Sequence, residues 1–344
     1  MKYNLYTTSE KAWDAMLETI EQAKKSIYIE MYIFSQDTFQ SHDFISALKQ
    51  KADEGVRVVI IADAFGSESL KKEVSSEIEK SKIEFIFFSH WIRHIHRKIL
   101  IVDEKVAFIG GVNIKKSFIH WDDLQLKVNG LIVKRILRSF AYTYAMSGGA
   151  NPKILKRREN KFSGRVKNLL IDHWPIRNIN TLKKHYIEKI NDAEKSIQIV
   201  TPYFTPPRWL ISLLDNASRR GVKIEILIPA KSDLPIVDRL NYNYINKLHA
   251  LGIDFYLNNK MNHAKLLIID GKEGLIGSQN IDPLSFELNT EAGIFFQEKK
   301  LLNELSVIIE GWKNNSVKFE AGKYKMKLVD YAILIAMKVF RPIL

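Results

Sequence analysis

One pattern of histidine, lysine and aspartate, spaced as His-x-Lys-x-x-x-x-Asp, occurs twice in the 344-residue chain, once in each half. The two copies consist of His96, Lys98 and Asp103 in the first half, and His263, Lys265 and Asp270 in the second. Each copy is followed at the same distance by a loop of small residues, which ends at Asn113 or Asn280. Because the motif and its trailing loop recur together, the chain is predicted to consist of two similar halves.

Each copy is predicted to lie on a buried β-hairpin, because runs of apolar residues surround it. His96 and Lys98 are two residues apart, so in a strand both side chains point to one face. The second hairpin turns at an Asp-Gly pair, a strong signal for this structure. Folding each hairpin about its turn brings His96 level with Asn113, and His263 level with Asn280. Core strands seldom carry unpaired histidine and lysine on one face, which favours a shared site over two ordinary core hairpins.

Alternating helix and strand patterns in both halves predict an α/β fold. The predicted helices span residues 9–24 and about 42–54 in the first half, and 181–194 and 208–220 in the second. A Gly-Gly-Ala-Asn-Pro segment near residue 150 indicates the boundary between the halves, so the expected domains are 1–150 and 151–320. We expect each domain to be a mixed β-sheet flanked by helices, with the two domains related by a pseudo-two-fold axis.

Residues 321–344 form a third segment, which begins basic and becomes apolar. Its apolar part, from Leu328 to Phe340, is too short to span a bilayer. One interpretation is a helix that lies in the membrane interface, with its lysines near the lipid headgroups. The alternative is a helix packed on the protein's own core or on a second subunit.

The charge and composition limit the classes of partner. The net charge of +13 and pI of about 9.5 favour nucleic acid or an acidic membrane surface. The chain has no cysteine, which excludes disulfides and thiolate metal sites. The N-terminus does not resemble a signal peptide and no apolar run reaches transmembrane length. The expected location is therefore the cytoplasm, with the protein peripheral on the inner face of the cell membrane.

The duplicated motif resembles the signature of the phospholipase D superfamily. The resemblance covers roughly residues 5 to 315, and it is closest to the bacterial cardiolipin synthase type. The segments that carry it are HRKILIVDEKVAFIGGVNI, TPYFTP, GVKIEILIPAKSD and HAKLLIIDGKEGLIGSQNIDPLSFELNTE. The resemblance implies two phospholipase D-like domains with the active site at their interface, and a reaction through a phosphohistidine intermediate.

The paired residue types suit phosphodiester transfer without a metal or another cofactor. Lys98 and Lys265 are expected to bind the non-bridging phosphate oxygens, and Asn113 and Asn280 to donate amide hydrogen bonds to them. One neutral histidine would attack phosphorus while the other, protonated, gives its proton to the leaving alcohol. The lysines supply the positive charge, and the sequence has no obvious acidic cluster for Mg²⁺ beside the histidines.

The resemblance implies that His96 is the nucleophile and His263 the acid and base, although the near-symmetry of the motifs leaves this assignment open. A working imidazole needs an acceptor for its other nitrogen. Glu291 matches the downstream carboxylate of the family, and Asp123 is its counterpart in the first half. We expect these two carboxylates to orient the histidines.

Asp103 and Asp270 belong to the signature, but their place at the hairpin turns indicates a structural role there. Three further polar side chains lie at the ends of buried strands: Glu30, Tyr32 and Tyr203. These strand ends either open onto the cleft or pack in the core.

The leading functional hypothesis is a phosphatidyltransferase that makes cardiolipin and glycerol from two phosphatidylglycerol molecules at an anionic membrane surface. Alternatives are a phospholipid hydrolase, a metal-independent nuclease and a catalytically silent membrane-binding protein. The sequence departs from the cardiolipin synthase pattern at Asp122 and Leu284, where arginine is usual, and at Gln125, where histidine is common. These departures leave the acceptor alcohol and the phospholipid open.

Overall fold

A computed structural model describes residues 2–73, 80–159 and 169–321. The predicted interfacial helix within 321–344 lies almost wholly outside these residues, so it stays a prediction. None of the helices in the described parts of the chain combines the length and hydropathy of a transmembrane span.

The first half forms one mixed sheet with helices on its faces. Its strands are β1 Tyr3–Thr8, β2 Ser26–Met31, β3 Arg57–Asp63, β4 Glu84–Phe88, β5 Lys98–Val102, β6 Val106–Gly110 and β7 Asp122–Asn129. Its helices are α1 Ser9–Glu21, α2 Phe44–Asp53, α3 Glu68–Glu73 and α4 Leu131–Met146, with 3-10 turns at Gln36–Thr38 and Lys116–Phe118. The strand order is β1-β7-β6-β5-β2-β3-β4.

The second half repeats this plan. Its strands are β8 Leu169–His173, β9 Ser196–Val200, β10 Lys223–Pro229, β11 Asp254–Asn258, β12 Leu266–Ile269, β13 Glu273–Gly277, β14 Glu291–Phe296 and β15 Ser316–Lys318. Its helices are α5 Pro152–Leu155, α6 Thr181–Asp192, α7 Arg208–Arg219, α8 Pro235–His249, α9 Pro283–Glu287 and α10 Lys299–Asn314, with 3-10 turns at Lys156–Glu159 and Pro175–Arg177. The order β8-β14-β13-β12-β9-β10-β11 matches the first sheet strand for strand, and β15 is added at its end. The predicted α/β fold with two mixed, helix-flanked sheets is confirmed.

The strand registers bring the ends of several strands to one edge of each sheet. In the first sheet, β2 is parallel to β3 and antiparallel to β5, with Met31 opposite Lys98. In the second, β9 is antiparallel to β12, with Val200 opposite Leu266. We call this side the cleft edge, and it holds the carboxyl ends of the parallel strands and the starts of β5, β7, β12 and β14. The turns of both hairpins lie at the opposite edge.

The two sheets pack face to face around a shared core. Ile99 and Ile101 of β5 contribute to this core, as do Leu266 and Ile268 of β12. The alternate residues of β5, such as Leu100, point to a separate core beneath α1 and α2. Both faces of the motif strands are therefore buried, which explains why the sequence there is continuously apolar. The shared core holds the two cleft edges together, and the polar motif residues lie between them.

Candidate active site

The two motif histidines each contact a carboxylate from the other half of the chain. His96 Nδ1 lies 2.9 Å from Glu291 Oε1, and His263 Nδ1 lies 2.8 Å from Asp123 Oδ2. All four side chains are buried. The structure thus brings together both predicted histidines and both predicted carboxylates, and it pairs them crosswise between the domains.

Backbone hydrogen bonds fix this crosswise arrangement. The His96 amide donates to the Thr290 carbonyl over 3.0 Å, and the His263 amide donates to the Asp122 carbonyl over 2.7 Å. Each bond joins a histidine to the residue just before the carboxylate that it contacts. The pseudo-two-fold relationship between the halves therefore extends to the main chain of the site.

Both predicted lysines lie beside the histidines and are almost fully buried. Lys98 Nζ donates to the His96 carbonyl over 2.6 Å, and Lys265 Nζ donates to the His263 carbonyl. Burial lowers the pKa of Lys98 well below its usual range and that of Lys265 to about 8. An anionic phosphate bound in this cleft would favour the protonated form of both lysines, and their charges would in turn hold the phosphate strongly.

The two histidine–carboxylate pairs differ in their electrostatics. Burial, reinforced by Lys98, lowers the pKa of His96 to about 4 despite the opposing effect of Glu291. Burial and the two lysines likewise hold the pKa of His263 far below its ordinary value. For Glu291, burial acts to raise the pKa, but His96, Lys98 and Ser278 together outweigh it and lower the pKa of the carboxyl. For Asp123, burial dominates and raises the pKa to about 7.

One residue difference between the repeats contributes to this asymmetry. The Ser278 hydroxyl donates to Glu291 Oε2 and favours the ionised carboxylate. The corresponding position in the first half is Gly111, where an added Cβ would lie only 2.2 Å from Asp123 Oδ1. Asp123 accepts instead from the Leu124 amide over 2.7 Å. The site is thus not electrostatically symmetric, although its backbone is.

The two predicted asparagines follow the hairpins at the cleft edge and are buried. Asn113 Oδ1 accepts from the Ile33 amide over 3.3 Å, an arrangement that leaves the side-chain NH₂ to serve as a donor. The Asn280 side chain hydrogen-bonds to Asp282, the N-cap residue of α9. Because a side-chain amide has two N–H donors, this bond does not prevent Asn280 from also donating to a phosphate oxygen.

The aspartates of the two motifs lie at the opposite edge, away from the histidines. Asp103 accepts hydrogen bonds of 2.7 to 3.2 Å from the backbone amides of Lys24, Lys25 and Ser26. Asp270 accepts equivalent bonds of 2.7 to 3.3 Å from Glu194, Lys195 and Ser196. Each aspartate thus connects a hairpin turn to the start of β2 or β9. This geometry supports the structural interpretation of both residues.

Aromatic rings enclose the histidines on the cleft side. The Tyr32 ring lies 4.8 Å from His96, and the Tyr203 ring lies 6.3 Å from His263. The Trp121 ring lies 5.4 Å from His263. Tyr32 and Tyr203 were candidates from their places at strand ends, whereas Trp121 was missed, although it directly precedes the acidic pair of the first half.

Glu30 lies in the core and not in the cleft. Of the two alternatives for this strand end, core packing is therefore correct for Glu30. The side chain is fully buried, 3.4 Å from the buried Arg97 guanidinium, and burial raises its pKa to about 7. Arg97 also reaches Asp172 on β8 over 3.3 Å. Arg97 lies between His96 and Lys98 in the chain. Its contacts with Glu30 and Asp172 therefore stabilise the motif segment on the face opposite the cleft side chains. Sequence reasoning overlooked Arg97, since an arginine within a motif is easily read as exposed.

Groups of three or more histidine, aspartate and glutamate side chains arranged to hold a metal ion are not found among the described residues.

Comparison with known proteins places this site in a family. Residues 16–140 and 186–312 match the family model described as "Cardiolipin synthase, PLD-like domain". A cardiolipin synthase from Listeria welshimeri is 32% identical over 88% of this chain, and the chain spans 66% of that protein's length. A cardiolipin synthase from Clostridium perfringens is 29% identical over 95% of the chain and 76% of its own length.

Solved structures agree in fold. The phosphatidylserine synthase of Haemophilus influenzae superimposes with a TM-score of 0.76 at 15% identity, covering 99% of this chain and 93% of the other. The polyphosphate kinase of Porphyromonas gingivalis gives a TM-score of 0.63 at 16% identity, covering 100% of this chain and 54% of the other. The repeated family match and the extent of the sequence identity are decisive: the chain belongs to the phospholipase D-like domain family of cardiolipin synthases.

Proposed function

We propose that the protein is a phosphatidyltransferase that makes cardiolipin and glycerol from two molecules of phosphatidylglycerol. The cardiolipin synthases that match most of the chain support this reaction. The observation that carries the mechanism is the crosswise pairing of two buried histidines with two carboxylates beside two buried lysines.

His96 is the nucleophile in this proposal. Its lowered pKa keeps the imidazole neutral, and Glu291 accepts a hydrogen bond from Nδ1–H. The Nε2 atom then carries the lone pair that attacks phosphorus. Because the carboxyl of Glu291 has a lowered pKa, it stays ionised and stabilises the positive charge that develops on the ring.

His263 is the acid and base. Burial raises the pKa of Asp123 to about 7, so the Asp123–His263 pair retains one more proton near neutral pH than the His96–Glu291 pair. The proton belongs to the pair as a unit. A phosphodiester anion that enters the site favours the form in which the proton lies on the imidazole. From there the proton can pass to the leaving oxygen.

The transfer takes place in two displacements. In the first, a bond forms between His96 Nε2 and phosphorus, the bond from phosphorus to the glycerol oxygen breaks, and His263 protonates that oxygen. Glycerol leaves. In the second, a hydroxyl of another phosphatidylglycerol attacks phosphorus, gives its proton to His263 and releases His96. Lys98 and Lys265 neutralise the non-bridging oxygens throughout, and Asn113 and Asn280 donate to the same oxygens.

We also assign the protein to the inner face of the cell membrane as a peripheral protein. Its net charge of +13 favours the anionic lipid of that surface. The domain boundary near residue 150, between α4 and α5, is part of the same proposal, as each domain must supply one histidine and one carboxylate to the site.

The reaction is tested by incubating the protein with phosphatidylglycerol vesicles in EDTA and analysing the lipids by mass spectrometry. The proposal predicts cardiolipin and glycerol from the unaltered protein, and none from His96→Ala or His263→Ala. His249→Ala, which removes a half-buried histidine on α8, is the matched control and should stay active. Phosphatidic acid as the sole product would identify a hydrolase, and cleavage of DNA without lipid turnover would identify a nuclease.

A further inference from the structure

Five large apolar side chains are exposed at the cleft edge, four of them in loops and one in the first turn of α8. They are Phe39, Phe65, Trp91, Leu234 and Ile236, with exposures of 56%, 73%, 88%, 44% and 57%. We call these five residues the rim. Phe39 lies in the loop after β2, Phe65 follows β3, and Trp91 follows β4, while the other two follow β10. Since these strands end at the cleft edge, the rim lies on the side of the molecule where the histidines meet.

Ring contacts connect the rim to the catalytic cleft. Phe65 and Trp91 line a cavity of about 680 Å³ together with His94. The His94 ring lies 5.9 Å from the ring of Tyr32, which lies 4.8 Å from His96. The Phe65 ring lies 5.1 Å from the His94 ring, so only two rings separate Phe65 from His96.

We propose that the rim is a membrane-docking surface, which inserts its apolar side chains into the headgroup region of an anionic phospholipid bilayer and presents the cleft to the lipid. This inference rests on the proposed function, since a lipid substrate must enter the cleft from a membrane. Exposed apolar side chains on one side of a protein gain free energy when an interface removes them from water. Tryptophan is favoured at the boundary between headgroups and acyl chains.

The charge of the cleft edge agrees with an anionic partner. Lys115 and Lys231 are exposed in loops that follow β6 and β10 at this edge, and Lys260, after β11, is exposed but pairs with Asp122 over 2.8 Å. Lysines beside inserted apolar groups can remain in the headgroup layer and attract acidic lipid. The aliphatic side chains of Leu234 and Ile236 favour lipid over single-stranded nucleic acid, because they have no π face on which a base can stack.

The first test compares vesicle binding by two double variants. Phe39→Ser with Ile236→Ser removes two rim side chains, and Leu131→Ser with Val307→Ser removes two side chains outside the rim that are at least as exposed. Leu131 follows β7 at the opposite edge. Co-sedimentation with phosphatidylglycerol vesicles should weaken about tenfold or more for the rim variant and stay unchanged for the control. Equal binding by the two variants would overturn the inference.

A second measurement separates docking from catalysis. Turnover of a monomeric short-chain phosphatidylglycerol needs no membrane, so the rim variant should retain it within about twofold while it loses turnover on vesicles. Loss on both substrates would overturn the docking role. If the unaltered protein turns over neither substrate, the proposed function fails, and the vesicle-binding comparison still decides the inference.

The fluorescence of Trp91 measures insertion of the rim into the bilayer directly. It is 88% exposed, whereas the other described tryptophans are buried or half-buried. Vesicles with brominated acyl chains should quench its fluorescence, and Trp91→Phe should remove that quenching. Quenching that persists in Trp91→Phe would contradict insertion of the rim. Loss of single-stranded DNA binding by the rim variant, with vesicle binding intact, would instead identify a nucleic-acid surface.

Discussion

His96 Nδ1 lies 2.9 Å from Oε1 of Glu291, a residue 195 positions later in the chain and in the other domain. The reciprocal contact joins His263 to Asp123. Each domain therefore supplies one histidine and the carboxylate for the histidine of its partner. Any change in the packing of the two domains must alter both histidines at once.

Glu291→Gln should reduce kcat about 10²- to 10⁴-fold, because the amide can no longer accept from the imidazole as a carboxylate does. The variant should remain folded, since glutamine has nearly the same volume. Glu287→Gln, on the exposed side of α9, is the matched control. Steady-state turnover measures the effect, and an equal rate for both variants would rule out the orienting role of Glu291.

Gly111→Ala should displace Asp123, because the new Cβ would lie 2.2 Å from its Oδ1 atom. The displacement weakens the contact with His263, so we expect activity to fall about 100-fold. Gly311→Ala is the control, since its Cβ would meet no atom within 4 Å on α10. Alanine there should leave activity unchanged and stabilise the helix by up to about 1 kcal/mol. Full activity of Gly111→Ala would show that the position of Asp123 is not critical.

The pH dependence of kcat/KM should be bell-shaped. His96 must be neutral to attack, so activity is lost as the pH falls through its lowered pKa of about 4. The Asp123–His263 pair must hold a proton, so activity is also lost as the pH rises through the raised pKa of Asp123, about 7. Both limbs are macroscopic values of coupled groups. Initial rates on a soluble substrate measure the profile, and activity that continues to rise well above pH 7 would contradict the proposed acid.

Asp103→Asn should lower the free energy of unfolding by about 1–3 kcal/mol, because a carboxylate that accepts from three backbone amides is removed. These hydrogen bonds outweigh burial and lower the pKa of Asp103. Its contribution is therefore present above its usual pKa and is lost as the pH falls through the lowered one. Urea unfolding at several pH values checks this. Unchanged stability with loss of turnover would instead assign Asp103 a direct catalytic role.

The sequence was sufficient to predict the duplicated fold, because the signals for it, the apolar runs of the hairpins and their turn residues, are local in the chain. The hairpin turns at Asp103 and Asp270 follow from short apolar runs and an Asp-Gly pair. The spacing of two residues between His96 and Lys98 correctly predicts that both side chains face the cleft, whereas Arg97 between them points to the core. Sequence reasoning could identify Glu291 and Asp123 as candidates, but their crosswise pairing depends on how the domains pack.

Tertiary contacts also determine whether a side chain at a strand end lies in the core or in the cleft. Glu30 and Tyr32 are two positions apart in the chain, yet Glu30 packs against Arg97 in the core while Tyr32 faces His96. The strand ends between them, at Met31, so period-two alternation no longer applies. The electrostatic difference between the two histidine–carboxylate pairs could not be predicted from the sequence either, because it depends on how Ser278 contacts Glu291 and how Gly111 contacts Asp123.

Trapping the covalent intermediate shows whether His96 carries the phosphatidyl group. A phosphatidyl ester of p-nitrophenol has a leaving group that needs no acid, so His263→Ala should still form the first covalent product. Without the base, this product should persist long enough for peptide mass spectrometry. The account predicts a phosphatidyl adduct on His96 in His263→Ala and no adduct in His96→Ala. An adduct on His263 in the His96→Ala variant, together with no adduct on His96 in the His263→Ala variant, would contradict it.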